Sequence, residues 1–122
     1  MKTKSEKVVG KKPAKRSRCP IAGALDIIGD KWSLLIVRDI KFFNKCRYDD
    51  FLASPEKIST NILADRLRKL EEYGIVAKQQ YGTHSQRMSY ELTTRGESLA
   101  KILIELKNWG LENIPNTASL KP

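Results

Sequence analysis

The 122-residue chain is 40% hydrophobic and 30% charged, with a formal net charge of +9 at pH 7. Its length is that of one domain with a single core, and no apolar run approaches the roughly 18 residues that span a membrane. The N-terminus is charged and lacks the apolar stretch of a secretory signal, so we expect a cytoplasmic protein.

The positive charge is concentrated at the N-terminus. Residues 1–18 hold eight Lys and Arg against one Glu, a charge of +7, which leaves +2 for the rest of the chain. A segment so charged and so poor in large apolar side chains cannot offset the entropy lost on ordering, so we predict a disordered tail. The tail either adds contacts to the phosphates of DNA or serves only as a solubilising leader.

A domain is predicted over residues 19–114. Its first helix begins after Cys19, with Pro20 at the first helical position, where a missing N–H has no cost. The apolar stripe of this helix is Ile21, Leu25 and Ile28. A second helix over about 31–42 is apolar on several sides, as a core helix is, and a short third helix follows over about 47–53.

A fourth helix is predicted over about 59–73, after a turn marked by Pro55. Ser59 is its N-cap and Gly74 its stop. One side of the helix carries Ile62, Leu63, Leu67 and Leu70. Burial of each is worth roughly 1.5–3 kcal/mol, which is enough to dock the helix on a core. The opposite side carries Asn61, Ala64, Asp65 and Arg68, with Thr60 on a flank and Arg66 and Lys69 at the margins.

Two strands follow, over about 75–81 and 86–92, around a Gly-Thr turn. The apolar residues that alternate in the second strand are Met88, Tyr90 and Leu92. A short helix, a turn, a second helix and a hairpin in this order are typical of winged helix-turn-helix DNA-binding domains. The predicted fold class is therefore mainly α with a small β-hairpin wing. The alternative is that the polar side of the fourth helix is only a solvated surface.

The polar side of the fourth helix suits a major groove. Asn61 and Arg68 can make bidentate contacts to adenine and guanine edges, and the helix N-terminus favours phosphate. The predicted phosphate contacts at its margins are Arg66 and Lys69. The candidate contacts in the wing, each of which is equally well an inert surface residue, are His84 and Arg87.

A capping box of Thr94 and Glu97 predicts a last helix over about 95–112. The apolar residues of this helix are Leu99, Ile102, Leu103, Ile104, Leu106, Trp109 and Leu111. So broad an apolar surface indicates a partner, most simply a second copy of the chain; a deeply buried terminal helix is the alternative. Residues 115–122 are predicted to be a flexible C-terminus.

The order of these motifs resembles that of the HxlR-type regulators, which are similar to the MarR-like winged-helix dimers. The matching motifs, within residues 19–110, are Cys-Pro at the first helix, GDKW before the second, ISTNILADRL, YELTTRG and a late Trp-Gly. The resemblance implies a homodimeric transcription regulator that binds a pseudo-palindromic DNA operator, with repression as the default. It implies a dimer interface formed by the helices at both ends, through Ile21, Leu25, Leu103, Leu106 and Trp109.

The resemblance also assigns the site residues. It implies that those facing bases or phosphates are Ser59, Thr60, Asn61, Asp65 and Arg68, and that the wing contact is Arg87. Two segments depart from the family pattern. FFNKCRY has no Gly before the third helix, and Ser85-Gln86 stands where the family tends to have Pro in the wing.

Cys19 is a candidate redox sensor, because several members of the resembled family sense oxidants or electrophiles with the Cys of this motif. A thiol at a helix N-terminus beside Arg16 and Arg18 should favour its thiolate form. The alternative is that Cys19 is only a small capping residue. A disulfide with Cys46 and a small-molecule effector are both left open.

Other classes of protein are disfavoured. The sequence has no clustered acid–base pair, phosphate loop or Ser/His/Asp arrangement, so we do not expect an enzyme. Two cysteines outside a CxxC pair and a single His disfavour a structural zinc site, and no cofactor is expected. The rival reading is a winged helix that contacts proteins and has no specific DNA binding.

Overall fold

The computed structural model describes residues 16–80 and 88–119. Within them the chain forms the helices α1 Pro20–Ile28, α2 Ser33–Phe43, α3 Tyr48–Leu52, α4 Thr60–Glu72, α5 Thr94–Glu97 and α6 Ala100–Asn113, and the strands β1 Val76–Gln80 and β2 Met88–Leu92. The strands pair antiparallel, from Val76 opposite Leu92 to Gln80 opposite Met88. The predicted fold class, mainly α with a hairpin wing, is confirmed. None of the helices described has the length and hydropathy to cross a bilayer.

The core forms where α2, α3, α4 and the start of β1 meet. Val37 of α2 and Leu63 of α4 are fully buried, and Phe51 of α3 is 1% exposed. The other buried apolar residues are Ile28, Ile36, Ile58, Leu67, Leu70, Tyr73, Ile75 and Val76. The apolar side predicted for the fourth helix is therefore the side that docks it on the domain.

Both ends of α4 have the caps expected from the sequence. The Ser59 hydroxyl accepts a hydrogen bond from the N–H of Ile62 at 3.3 Å, and Gly74 has φ of 75° after the last turn. Only glycine adopts that left-handed conformation without steric cost. The helix is thus fixed in length by local chemistry as well as by its packing.

At the end of α2, in the stretch FFNKCRY, a residue other than glycine adopts the left-handed conformation. Asn44 is the C-cap residue, with φ of 55° and ψ of 32°. Asparagine is among the residues best tolerated in this left-handed region. The departure from the family pattern therefore preserves the turn that leads into α3.

The prediction of one continuous last helix capped by Thr94 is wrong. The N-cap is Thr93, whose hydroxyl accepts from the N–H of Gly96 at 3.0 Å and donates to the carbonyl of Gly74 at 2.5 Å. That anchor to the end of α4 moves the cap by one residue, and Glu97 instead pairs with Lys41 of α2 at 2.7 Å. The chain then forms the short α5 and starts α6 at Ala100.

Candidate nucleic-acid interface

The side of α4 opposite the core is polar and accessible. Thr60, Asn61 and Arg68 are exposed, and Asp65 is half-buried. The first turn is held in place by Tyr48 of α3, whose hydroxyl donates to the carbonyl of Thr60 at 2.7 Å. The start of α4 is therefore a positioned polar surface, with small side chains at its N-terminus.

Asp65 forms ion pairs with the cationic side chains of this surface. Its carboxylate accepts from Arg68 at 2.7 Å, pairs with Arg66, and lies 3.7 Å from the ammonium of Lys69. Slight burial opposes its ionisation, but the hydrogen bond from Arg68 and the three nearby positive charges outweigh it and lower the pKa of Asp65. Asp65 is therefore anionic at neutral pH and orients the side chains predicted to meet DNA.

Arg68 lies where its guanidinium is available to a partner. It donates a hydrogen bond to Asp65 at 2.7 Å and another to Glu72, one helical turn further along, at 3.1 Å. Both carboxylates raise the pKa of Arg68, so it remains charged. Because its side chain is 54% exposed, water screens these ion pairs, and exchange of a carboxylate for a base edge or phosphate has a low cost.

Arg66 is oriented differently from its neighbours. Its side chain is only 23% exposed, and its Nε donates to Asp30 at 2.9 Å. Asp30 lies in the turn between α1 and α2 and also accepts from the backbone N–H groups of Trp32 and Ser33. Of the contacts predicted on α4, Arg66 is the one that the structure turns toward the body of the domain.

A polar network that was not predicted from the sequence fixes the turn between α3 and α4. Arg38 of α2 makes two hydrogen bonds to Glu56, at 2.8 and 2.9 Å. The neighbouring Asp39 is 3% exposed and accepts from the hydroxyl of Ser54 at 2.5 Å. The available signal was the Arg-Asp pair inside an otherwise apolar helix, since a buried charge needs a partner.

The charges of that network stabilise each other. The hydrogen bond to Glu56 raises the pKa of Arg38 in spite of burial, and Arg38 in turn lowers the pKa of Glu56. Breaking one partner of such a half-buried pair would leave the other without compensation. The network therefore holds the turn before α4 against α2.

The helices nearest the two ends of the described chain, α1 and α6, each expose large apolar side chains, which together are called the terminal apolar surface. None of the residues of α6, all of which the structure describes, is buried. The exposed large apolar residues of this terminal apolar surface and its margin are Ile21, Leu25, Phe42, Ile102, Ile104, Leu106, Trp109, Leu111 and Ile114. Trp109 is 59% exposed and Ile21 is 70% exposed. Leu103, predicted at the same interface, is instead half-buried against the core.

Cys19 is exposed at the N-cap of α1. The nearby Arg16 is engaged by Asp26, to which its Nε donates at 2.7 Å. Cys46 is half-buried after α2, and its carbonyl accepts from the N–H of Tyr90 at 2.8 Å. Cys19 is therefore the more accessible of the two thiols. The predicted wing contacts His84 and Arg87 lie outside the described residues.

Comparison with known proteins agrees with this geometry. The model of the HxlR-like helix-turn-helix family matches residues 27–118. An uncharacterised helix-turn-helix transcriptional regulator of Synechocystis is 35% identical over 92 residues, which are 75% of this chain and 67% of that protein.

Two solved structures have the same arrangement. PA1607, a candidate transcription factor, superposes with a TM-score of 0.76 at 35% identity, over 88% of this chain and 75% of that one. The reduced form of the redox regulator HypR superposes with a TM-score of 0.69 at 30% identity, over 80% of this chain and 95% of that one.

Proposed function

Because the chain belongs to the HxlR-like helix-turn-helix family and is a transcriptional regulator of that type, we propose that it represses genes by binding a pseudo-palindromic operator as a homodimer. The observation that carries the proposal is the contrast between the two sides of α4. One side is buried in the core, while the other exposes Asn61 and Arg68 behind an N-terminus of small polar residues. Action on DNA places the protein in the cytoplasm.

In the proposed complex, α4 enters the major groove. Asn61 and Arg68 contact base edges, because their planar amide and guanidinium groups can form two hydrogen bonds with adenine and guanine. The helix N-terminus, with Ser59 and Thr60, and the ammonium of Lys69 contact phosphates. Asp65 orients the cations, and the wing residues Arg87 and His84 contact flanking DNA.

The second copy of the chain binds at the terminal apolar surface. Apolar side chains as exposed as Ile21, Leu25, Leu106 and Trp109 gain stability when a partner removes them from water. A twofold arrangement presents two α4 helices to the same side of DNA. Half-sites then lie about one turn apart, roughly 34–36 Å.

The test is a fluorescence-anisotropy titration at two salt concentrations, on a duplex that the protein selects from a randomised library and on a random duplex. Asn61→Ala should lose roughly 1–3 kcal/mol on the selected duplex alone, and Arg68→Ala should relax specificity at its own base. Asn108→Ala, an exposed residue of α6, is the matched control and should bind like wild type.

Two results would contradict the proposal. An equal loss on both duplexes for Asn61→Ala would remove its role in reading bases. An absence of salt-dependent DNA binding by the wild type would favour the rival, a winged helix that contacts proteins.

We further propose that Cys19 makes the regulator responsive to oxidants. Its thiol is exposed at the start of α1, beside the terminal apolar surface, so its oxidation would disturb the pairing of the two copies. Similarity to the redox regulator HypR supports this reading.

Diamide treatment should weaken operator binding by the wild type and by Cys46→Ser, while Cys19→Ser should be insensitive. If Cys19→Ser still responds, Cys19 is only a capping residue. Diamide oxidises two thiols to one disulfide, so a response that Cys46→Ser retains would come from a disulfide between Cys19 and a thiol of another molecule. If Cys46→Ser loses the response, the sensor is a Cys19–Cys46 disulfide within the chain.

A further inference from the structure

Asp30 is a point where three parts of the fold meet. Its carboxylate accepts from the N–H of Trp32 at 2.9 Å, from the N–H of Ser33 at 3.0 Å, and from the hydroxyl of Ser33 at 2.6 Å. These bonds fix Asp30 at the start of α2, immediately after the end of α1. Arg66 of α4 donates to the same carboxylate at 2.9 Å.

The two side chains of this ion pair are less exposed than the other cationic side chains at the polar side of α4. The side chains of Arg66 and Asp30 are 23% and 27% exposed, whereas those of Arg68 and Lys69 are 54% and 49% exposed. A half-buried pair is less screened by water than an exposed one. Burial opposes ionisation of Asp30, but the bonds from Ser33 and Arg66 outweigh it and lower its pKa.

The ion pair connects the two working surfaces of the molecule. Arg66 follows Asp65, which holds Arg68 and Lys69 on the DNA-facing side of α4. Asp30 follows α1 by two residues, and α1 carries the exposed Ile21 and Leu25 of the terminal apolar surface. A shift of the turn between α1 and α2 relative to α4 would have to stretch or break this contact.

We propose that the Asp30–Arg66 pair is a positioning contact that fixes α4 relative to the turn between α1 and α2, and that Arg66 acts on DNA recognition through Asp30 and makes no phosphate contact. The inference rests on the proposed function, since it assumes that α4 reads DNA and that α1 contributes to the dimer. Its consequence is that the pair sets the separation of the two α4 helices, and so the half-site spacing that the dimer accepts.

The two alternative roles of Arg66, a phosphate contact and a positioning contact, predict different dependences of DNA affinity on salt concentration. A phosphate contact contributes about 0.9 to the slope of the logarithm of affinity against the logarithm of salt concentration. A positioning contact within the protein contributes nothing to that slope. Asp30, which is an anion, can affect DNA affinity favourably only through the residues that it holds.

The experiment measures the affinity of full-length protein for the selected duplex and for versions with the half-sites moved by about one base pair in either direction. The variants are Arg66→Gln, Asp30→Asn, the double variant and the conservative Arg66→Lys. Asp30→Asn keeps an oxygen for the N–H groups of α2, so that turn is preserved. The same Oδ2 also accepts from Arg66, so this variant removes the negative charge of the pair while keeping an acceptor for Arg66. Lys69→Gln is the matched control, because Lys69 lies on the same helix and also approaches Asp65.

We expect Arg66→Gln and Asp30→Asn each to lower affinity for the selected duplex by roughly tenfold, within the range of couplings between sites. Their salt slopes should equal that of the wild type, and they should discriminate less between the original and the shifted half-sites. The double variant should be no worse than either single one, because both remove the same ion pair. Arg66→Lys should retain part of the affinity, whereas Lys69→Gln should lower the slope by about 0.9.

Several outcomes would overturn the inference. A slope reduced by about 0.9 in Arg66→Gln, with Asp30→Asn like wild type, would make Arg66 a phosphate contact. A lower melting temperature with unchanged affinity and spacing preference would make the pair merely stabilising. If the wild type itself shows no preference for the selected duplex, the proposed function fails and the inference fails with it; the preceding outcomes instead leave the proposed function intact.

Discussion

The exposed side of α4 and the terminal apolar surface are both accessible, yet they are built in opposite ways. On α4 the exposed groups are ionic, and Asp65 already pairs with Arg68. On α1 and α6 the exposed groups are apolar, with Leu106 53% exposed and Trp109 59% exposed. A polar surface can exchange its own ion pairs for those of a charged ligand. An apolar surface of this kind gains stability only when another apolar surface covers it.

The difference separates two interactions within 122 residues. In the proposed function, α4 and the wing bind DNA, while the terminal helices form the dimer. Substitutions on one surface should therefore change one property first, and the other only as a consequence.

The largest effect is expected from a charge placed on the apolar surface. Trp109→Glu should produce a monomer, because burial of a carboxylate in an apolar interface is strongly unfavourable. Loss of the second half-site should lower operator affinity by roughly 10²- to 10⁴-fold. Sedimentation and anisotropy measure the two properties on one sample. Asn108→Glu adds the same charge at the position next to Trp109 and should remain dimeric. If both variants are monomeric, the effect comes from the added charge and not from the apolar surface.

A smaller effect is expected from a cavity on the buried side of α4. Leu67 is 2% exposed, and Leu67→Ala should lower the free energy of unfolding by roughly 2–5 kcal/mol. In the monomeric Trp109→Glu background, Leu106→Ala should change the free energy of unfolding by less than about 0.5 kcal/mol. Urea denaturation measures both. Equal losses would mean that Leu106, like Leu67, is buried within its own chain in solution.

The smallest effect is expected on the free energy of unfolding at acid pH. The pKa of Asp30 is lower in the folded chain than its ordinary value of 3.8, despite burial, because Ser33 and Arg66 bond its charged form. Its contribution to stability is therefore complete above the unfolded pKa and is lost as the pH falls through the folded one. Below about pH 4, the unfolding free energy of the wild type should fall more steeply than that of Asp30→Asn. Parallel profiles would show that the pair does not stabilise the folded state.

Local chemistry allowed α4 to be predicted almost completely. Its cap Ser59, its stop Gly74 and the spacing of its leucines lie within one segment of the sequence, and the structure confirms all three. The exposed apolar residues of α6 were likewise visible as an excess over what a small core needs. That a second copy covers them, and that α4 contacts DNA, remain predictions.

The contacts between distant segments were not predictable in this way. Asp30 and Arg66 are 36 residues apart, and no periodicity joins a turn to the middle of a later helix. The sequence predicted Thr94 as the cap of the last helix, whereas the bond from Thr93 to the distant carbonyl of Gly74 accompanies a cap at Thr93. Arg66 was predicted to face DNA from its place on a helical wheel, which does not include the neighbouring turn.

The measurement that tests the central claim most directly is a hydroxyl-radical footprint of the wild-type protein on the duplex it selects. Two reading helices held by one dimer should protect two symmetric patches centred about one helical turn apart, roughly 34–36 Å. The monomeric Trp109→Glu variant should protect the same two patches only at much higher concentration, because each half-site then binds a monomer independently. A single patch with the wild type, or uniform protection along the duplex, would contradict the account.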